Sequence, residues 1–339
     1  MRNREISAIV RGGPDVLELR HRELPATVPA GQARVRVAAA GVSFGDILLR
    51  VGVIPGGPKP PFTPGYEIAG MVEAVGDGVT APRPGDRVAA LLHEGGYTDL
   101  VDVPAARLVP LPDGVEAVDA AAVALNYFIA YQMLHRVARV RSGQRVLVHG
   151  ASGGVGLAFL QLGALAGVEI HGTASAAKHD IVREAGGNPI DYRGQDFVGV
   201  VRARTGGAGV DAVFDAIGGT QFGRSRRTLR KGGILVAYGQ SAAFQNGRAN
   251  KLLGARGFLG GIILAKLIPD GRRKVFYNAW SLEKAHPEAY REDLAQVFDL
   301  LAAGRITPLV ASTLPLEEAA KAHELLETAA VRGKIVLTT

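Results

Sequence analysis

The stretch that most constrains this fold runs from Arg145 to Gly156, RVLVHGASGGVG. Val146 to Val148 form an apolar run typical of a buried strand, and an amphipathic helix begins at Val155. Between them lies a turn of small residues, Gly150 to Gly154. Such a turn lets backbone N–H groups approach phosphates, and the helix N-terminus adds unpaired donors and partial positive charge. The stretch therefore predicts a site for a dinucleotide pyrophosphate.

The glycine pattern of this stretch is imperfect, but its setting supports it. Ala151 stands where the first glycine of G-x-G-x-x-G would be, whereas Gly153 and Gly156 fill the other two places. The motif follows a strand, opens a helix and is continued by further strand–helix units, which is the context that the fingerprint requires. We expect cofactor contacts from Ala151, Ser152, Gly153, Gly154, Val155 and Gly156.

Before residue 125 the pattern is mainly β. Short alternating runs are separated by Gly/Pro turns, which predicts a small barrel-like β domain. The runs are Glu5–Val10, Leu17–Arg20, Ala33–Ala39, Ile68–Val75 and Arg87–Leu92. A helix is predicted at Asp119–Arg136.

From Arg145 onward, strands and helices alternate, as in a doubly wound, mainly parallel sheet. The predicted strands are Arg145–His149, Glu169–Gly172, Pro189–Asp191, Asp211–Asp215, Gly233–Tyr238 and roughly Gly257–Ile263. The segment from Phe244 to Trp280 is apolar and glycine-rich, and it is interpreted as the sixth strand followed by a loop over the substrate or at a dimer edge. A weak contact with a membrane surface is the alternative, although an interfacial helix would avoid so many glycines.

After about residue 285 the pattern changes again. Helices are predicted at Tyr290–Ala303 and Leu316–Thr328, and a closing strand at Lys334–Thr338. We expect this strand to pair back into the first domain. Residues 1–125 with 285–339 would then form one discontinuous domain, residues 126–284 an inserted dinucleotide-binding domain, and the active cleft would lie between them.

Composition excludes several classes of protein. The 339 residues contain no cysteine, which rules out disulfides, thiolate chemistry and cysteine-ligated zinc. The first ten residues lack the apolar core of a signal peptide, and Leu252 to Ile268 is shorter than the ~20 residues that a membrane span needs. The net charge of +7 is scattered along the chain. We therefore expect a cytoplasmic protein with no integral membrane segment and no nucleic-acid partner.

The tip of the second predicted strand bears on the choice of cofactor. An NAD site normally places Asp or Glu about 20 residues past the glycine motif, whereas Gly172 to Lys178 contains no acid. Ser175 offers a hydrogen bond and Lys178 a positive charge, which suit a 2′-phosphate. Thr173 lies in the same tip, and Tyr192 follows the third strand, where it can lie against the same ribose. We expect NADPH as cofactor; the alternative is that Lys178 and Tyr192 are ordinary surface residues.

Several motifs resemble the medium-chain dehydrogenase/reductase superfamily over essentially the whole chain. They are GVSFGD (Gly41–Asp46), PGYEIAGMVEAVGDGV (Pro64–Val79), PGDRV (Pro84–Val88), HGASGGVG and GTASAAKHD (Gly172–Asp180). The near branch is similar to the zinc-independent quinone oxidoreductases, and LNYFIAY (Leu125–Tyr131) resembles the vesicle amine transport protein group. The resemblance implies an α/β fold, with a GroES-like β-barrel domain plus an inserted Rossmann doubly wound parallel sheet, and a homodimer.

Two residues depart from the zinc enzymes of this superfamily. Ser43 stands where they carry Cys and Tyr66 where they carry His, so we assign no metal. Without a Lewis acid, hydride transfer to a quinone, enone or enoyl substrate is favoured, because donors can stabilise the negative charge that moves to its carbonyl oxygen. Ser43 and Tyr66 are the candidate donors. Asp46 either holds the loop beside the nicotinamide or caps the helix that begins at Ile47.

Other candidates are weighed against structural roles. Loops at strand ends line the ligand crevice of an open sheet. The remaining cofactor-binding candidates are Asn126, Gly218, Gly239, Ser241 and Lys334. Glu67 belongs either to the site or to a buried ion pair. The family tyrosine and threonine of the site are replaced by Ile54 and Ile129, which leaves open a second function, that of a catalytically weak nucleotide-binding or scaffold protein.

Overall fold

The computed structural model describes residues 1–54, 56–245, 248–250, 268–328 and 331–339, and the single residues Leu252, Leu259 and Ile263. The chain divides into two compact units. Unit 1 comprises Met1–Phe128 and Tyr290–Thr339, and unit 2 comprises Ile129–Ala289. Each unit has its own sheet, and the two are described separately below.

The secondary structure of the described residues follows in chain order. The strands are β1 (Arg2–Ala8), β2 (Leu17–Glu23), β3 (Gln32–Val42), β4 (Glu67–Val75), β5 (Arg87–Leu91), β6 (Leu100–Pro104), β7 (Val109–Pro110), β8 (Arg145–His149), β9 (Glu169–Ala174), β10 (Asn188–Asp191), β11 (Val210–Asp215), β12 (Leu229–Ala237), β13 (Phe244–Gln245), β14 (Arg248–Ala249), β15 (Arg273–Phe276), β16 (Val310–Pro315) and β17 (Lys334–Thr338). The α-helices are α1 (Phe44–Val51), α2 (Ala117–Tyr131), α3 (Gly154–Leu165), α4 (His179–Glu184), α5 (Phe197–Arg204), α6 (Gln221–Thr228), α7 (Ala279–Ala285), α8 (Pro287–Ala302) and α9 (Ala319–Glu327).

The main sheet of unit 1 has the strand order β16-β17-β3-β4-β5-β7, and β6 also pairs with β3. Strand β3 shows why these residues form a sheet: Val35 and Val37 are fully buried, while Arg36 between them is exposed. Strand β17 runs antiparallel to β3, with Leu337 opposite Ala40. This pairing confirms that the closing strand returns to the sheet formed by the first residues.

Unit 2 contains a six-stranded parallel sheet in the order β10-β9-β8-β11-β12-β15. Its central strand β8 has Val146, Leu147 and Val148 fully buried, as expected for a strand covered on both faces. The chain steps outward from β8 to β10 and then returns to β11, so the strand order reverses between β8 and β11. In such sheets the crevice at the carboxyl ends of these two strands receives the ligand. The predicted doubly wound parallel sheet is confirmed.

The sixth strand of this sheet differs from the prediction. Strand β15, Arg273–Phe276, pairs with β12, whereas the predicted Gly257–Ile263 lies outside the described residues apart from Leu259 and Ile263. The strand was missed because its sequence, RKVF, looks solvated. The structure buries Lys274 and places its ammonium group 2.5 Å from the Asp270 carboxylate, which satisfies the charge inside the protein.

Strands β6 and β7 were also not predicted, because both are short and each ends in proline. Among the described residues, one helical segment has the length and apolar composition of a membrane span: α2 together with its π-helical continuation, Ala117–Ala138, of whose apolar window 67% is buried. Its residues from Ala120 to Ala124 belong to the protein core.

Candidate active site

The glycine turn of unit 2 has the geometry that its sequence predicts. Strand β8 ends at His149, Gly150 has a φ of +71°, and α3 begins at Gly154. A Cβ atom on Gly156 would lie 2.6 Å from the Ala151 backbone and overlap the Gly150 carbonyl oxygen, so the helix is pressed onto the turn.

Solvent reaches this turn mainly at Gly150 and Gly153. Ala151, Ser152 and Gly156 are buried. Gly153 is exposed, and Gly154 and Val155 are half-buried. The N-cap of α3 is Gly153, which brings no side chain to cap the helix. The first amides of α3 are thereby left for an anionic ligand.

A second group of candidates meets at the carboxyl ends of β9 and β10. Ala174 pairs with Asp191, so the residues that follow them, Ser175 and Tyr192, lie next to each other. Tyr192 is 51% exposed, and Ser175 precedes the single helical turn that carries Lys178. The structure therefore brings these three predicted residues to the same edge.

Arg193 at this edge was missed by the sequence analysis. It is exposed, and its guanidinium carbon lies 5.7 Å from the centre of the Tyr192 ring. Its backbone N–H donates to Oδ1 of the Asp191 carboxylate at 3.1 Å within the same turn. The sequence did contain a signal for this residue, because Arg193 is a positively charged residue directly after Tyr192.

The third group lies after β11 and β12. Gly218 has a φ of +78°, and Ser241 donates its N–H to the Ala216 carbonyl at 3.0 Å. A Cβ atom on Gly239 would lie 2.7 Å from the same carbonyl oxygen. The three predicted residues, Gly218, Gly239 and Ser241, are therefore neighbours, and glycine is needed where the two loops touch.

Thr173 has a different environment from the other predicted contacts. Its side chain is buried, its hydroxyl lies 3.0 Å from His149 Nδ1, and it accepts the Gly150 N–H at 3.3 Å. The structure therefore places this side chain beneath the glycine turn, where it supports the backbone, rather than at the open edge with Ser175.

In unit 1, Ser43 and Asp46 form the N-terminus of α1. Asp46 is fully buried, and its carboxylate accepts the Ser43 N–H at 2.9 Å, the Ser43 hydroxyl at 2.7 Å and the Gly65 N–H at 2.9 Å. The helix begins at Phe44 and not at Ile47 as predicted: Ser43 is its N-cap, and Asp46 is the third residue of the capping box, whose carboxylate also holds the loop before Tyr66. Burial raises the pKa of Asp46, and the hydrogen bonds from Ser43 oppose that shift.

These bonds change what Ser43 can offer to a ligand. While Asp46 is ionised, the Ser43 hydroxyl proton points at the carboxylate, which leaves the oxygen as an acceptor. Tyr66 is 8% exposed, and burial together with the Asp46 charge raises its pKa.

A buried hydrogen-bond chain joins Tyr97, His323 and Arg50. The Tyr97 hydroxyl lies 3.2 Å from His323 Nε2, and Arg50 lies 3.0 Å from His323 Nδ1. Arginine can only donate, so Nδ1 accepts and Nε2 carries the proton that is donated to Tyr97. Arg50, which is fully buried, also pairs with Glu327. Sequence reasoning missed this chain because its members are distant in sequence.

We expect this environment to make unit 1 sensitive to acid. Burial and the Arg50 charge lower the pKa of His323 from 6.5 to about 3. Between these values the unfolded chain binds one more proton than the folded protein, so the free energy of unfolding falls as the pH is lowered through this window. Denaturant unfolding of His323→Gln should show a weaker dependence on pH. The exposed His21→Gln is the control, and an equal slope in His323→Gln and wild type would contradict the prediction.

Glu67 and Lys334 form a buried ion pair between β4 and β17. Both side chains are buried, their charged groups are in contact, and Glu67 also accepts the Leu125 N–H at 2.6 Å. The structure thus supports the ion-pair role for Glu67. Lys334, a predicted cofactor contact, has its ammonium group directed at Glu67 instead of an open surface. Asn126 is buried on α2.

Known proteins share this architecture. Residues 29–113 match the alcohol dehydrogenase GroES-like domain, and residues 187–337 match the zinc-binding dehydrogenase family. The synaptic vesicle membrane protein VAT-1 homolog of Danio rerio is 34% identical over 331 residues, which are 97% of this chain and 68% of that protein.

Solved structures extend the similarity to the whole fold. Escherichia coli quinone oxidoreductase complexed with NADPH has a TM-score of 0.86 and 30% identity, covering 99% of this chain and 100% of that chain. CurK enoyl reductase has a TM-score of 0.84 and 25% identity, covering 99% of each chain. The predicted fold class, a GroES-like domain with an inserted Rossmann sheet, is confirmed.

Proposed function

Since this chain belongs to the medium-chain dehydrogenase/reductase superfamily, in its quinone oxidoreductase branch near the VAT-1 homologues, we propose a specific activity for it. It is a zinc-independent, NADPH-dependent oxidoreductase that acts on a quinone or an α,β-unsaturated carbonyl compound. We assign residues 1–125 and 285–339 to its catalytic domain and residues 126–284 to its dinucleotide-binding domain.

The observation that carries the cofactor proposal is the edge formed by β9 and β10. Ser175, Lys178, Tyr192 and Arg193 meet there, and no acid lies between Gly172 and Lys178. A ribose with a free 2′-hydroxyl needs an acceptor at this place, whereas a 2′-phosphate needs donors and cations. The first amides of α3, which have no capping side chain, suit the pyrophosphate. The residues present therefore fit NADPH better than NADH.

Unit 1 supplies the groups that we assign to the substrate. NADPH, when bound, supplies the hydride. The Tyr66 hydroxyl is a protonated donor for the carbonyl oxygen that gains negative charge. Ser43 and Tyr66 take the positions of a cysteine and a histidine in the zinc enzymes of the resemblance, which favours reduction of an activated double bond over alcohol oxidation.

Replacing the cations of the β9–β10 edge tests the cofactor proposal. Lys178→Ala should weaken NADPH binding by about 10- to 100-fold, because hydrogen bonds to charged groups contribute about 1.5–3 kcal/mol each, and should change NADH binding little. Arg193→Ala should act in the same direction. Fluorescence titration with both cofactors measures the effect. Lys231→Ala, which removes an exposed cation near the start of β12, is the control. Equal losses for NADPH and NADH would refute the assignment.

Two substitutions favour a second candidate function. Ile54 and Ile129 replace polar residues that the resemblance implies for the site, so a nucleotide-binding or scaffold protein with weak catalysis is the alternative. A screen of NADPH oxidation with quinones, enones and enoyl thioesters, with products identified by mass, separates the two. Turnover of any class supports the enzyme, whereas tight binding without turnover supports the alternative.

A further inference from the structure

A continuous chain of buried hydrogen bonds lies beneath the glycine turn of unit 2. His149 at the end of β8 has Nδ1 3.0 Å from the Thr173 hydroxyl and Nε2 2.9 Å from the Ser225 hydroxyl. Ser225, on α6, donates to Asp215 at 2.7 Å. All four side chains are at most 3% exposed. The chain thus connects β8, β9, α6 and β11 through their side chains.

The chain continues into the backbone at both ends. At one end the Gly150 N–H donates to the Thr173 hydroxyl oxygen at 3.3 Å. At the other, Asp215 accepts the Ile217 N–H at 2.8 Å and the Gly218 N–H at 3.1 Å. One end therefore fixes the glycine turn and the other fixes the loop after β11. These two loops flank the point where the strand order reverses.

The direction of every bond follows from the donors available. Ser225 has one hydroxyl proton, which it gives to Asp215, so its oxygen must accept the proton on His149 Nε2. Burial lowers the pKa of His149 and keeps the ring neutral, and Nδ1 therefore accepts the Thr173 hydroxyl. Each side chain donates its proton to the next side chain in the series. The loss of one hydroxyl therefore leaves hydrogen-bond partners on both sides unsatisfied.

We propose that His149, Ser225 and Asp215 are positioning residues that hold the glycine turn and the Gly218 loop in one geometry, so that the two loops bind NADPH as a single preformed site. The proposal rests on the proposed NADPH function. It adds that residues without contact to the cofactor determine its affinity. The binding energy of the pyrophosphate at the glycine turn then depends on the conformation of the Gly218 loop.

Ser225→Ala tests the coupling because it breaks the middle of the chain and lies on α6, away from the predicted cofactor contacts. It should raise the Kd of NADPH by about tenfold. The Kd of adenosine 2′,5′-bisphosphate should change less than twofold, roughly, because this fragment needs only the β9–β10 edge and not both loops. Isothermal titration of the whole polypeptide with each compound measures both dissociation constants.

Thr228→Val is the matched control. Thr228 lies on the same helix, is fully buried and donates its hydroxyl to the Ser225 carbonyl at 2.7 Å, so its removal also costs one buried hydrogen bond. It is outside the chain and should leave the Kd of NADPH unchanged. Thr173→Val removes a hydroxyl inside the chain by the same chemical change, and it replaces Ser225→Ala in the comparison if that variant fails to fold.

A double-mutant cycle distinguishes positioning from a general loss of stability. Thr173→Val and Ser225→Ala should together raise the Kd of NADPH hardly more than either alone, because the first break already uncouples the loops. Unchanged NADPH binding by folded Ser225→Ala, or an equal loss in Thr228→Val, overturns the inference while the proposed function stands. If the wild-type protein does not bind NADPH, the proposed function and this inference fall together.

Discussion

Lys334→Ala should destabilise unit 1 by about 3–5 kcal/mol, the usual cost of removing one partner of a buried ion pair. Glu67 has no exposed surface, and among the described residues its carboxylate would keep only the Leu125 N–H as a donor. Burial already raises the pKa of Glu67, and the Lys334 charge opposes that shift. Without Lys334, Glu67 must take up a proton or bring water into the core, and either response costs stability.

Denaturant unfolding of the full chain, followed by hydrogen exchange in the peptides of β4 and β17, measures this loss. The double variant Glu67→Gln/Lys334→Met removes both charges, and it should recover much of the stability because no unpaired charge remains. Arg20→Ala, at an exposed surface ion pair with Glu18, is the control for loss of an ion pair. If Lys334→Ala cost no more than this control, the buried pair would not have the role assigned to it.

Gly156→Ala should abolish high-affinity binding of NADPH, although alanine is favoured over glycine inside a helix by about 1 kcal/mol. The added methyl group would lie 2.6 Å from the Ala151 backbone and overlap the Gly150 carbonyl oxygen, so α3 or the glycine turn has to move. Such overpacking costs roughly 1–3 kcal/mol, and it displaces the amides that approach the pyrophosphate. Cofactor titration and thermal unfolding measure the two effects.

Gly223→Ala is the matched control, because Gly223 lies in α6 and a Cβ atom there would meet no atom within 4 Å. It should be neutral or slightly stabilising and should leave cofactor affinity unchanged. The contrast isolates the close approach at Gly156 from the general effect of glycine in a helix. Wild-type affinity in Gly156→Ala would show that the turn is not the pyrophosphate site.

Local patterns were sufficient to predict much of the fold. Strand β8 and strand β17 begin and end where the sequence predicts, because each is an apolar run bounded by turn residues. Strand β15 was missed because Lys274 is buried only by virtue of Asp270, and a buried charge cannot be told from a solvated one before its partner is placed. The periodicity of apolar residues indicates which apolar side chains are buried, but it does not indicate which charged side chains are buried with a partner.

The candidate site was likewise predictable only where its residues are adjacent in sequence. The glycine turn and the edge with Ser175 and Lys178 are short motifs whose function resides in adjacent residues. The bonds that support them join distant ones: His149 and Ser225 are 76 residues apart, and Arg50 and His323 are 273 apart. A lone buried histidine has no sequence signature that names its partners, so both chains required the structure.

The strand order of unit 1 has a consequence for how the chain is made. Strand β3 has β17 as a neighbour, yet all of unit 2 is translated between them. At about 5–20 residues per second, the ribosome takes roughly 15–60 s to pass from Val42 to Lys334. During this interval the Ala39–Val42 edge of β3 is unpaired and Glu67 has no counter-ion, while unit 2 is continuous in sequence. Unit 2 can therefore fold on the nascent chain, and unit 1 has to wait for the last strand to be synthesised.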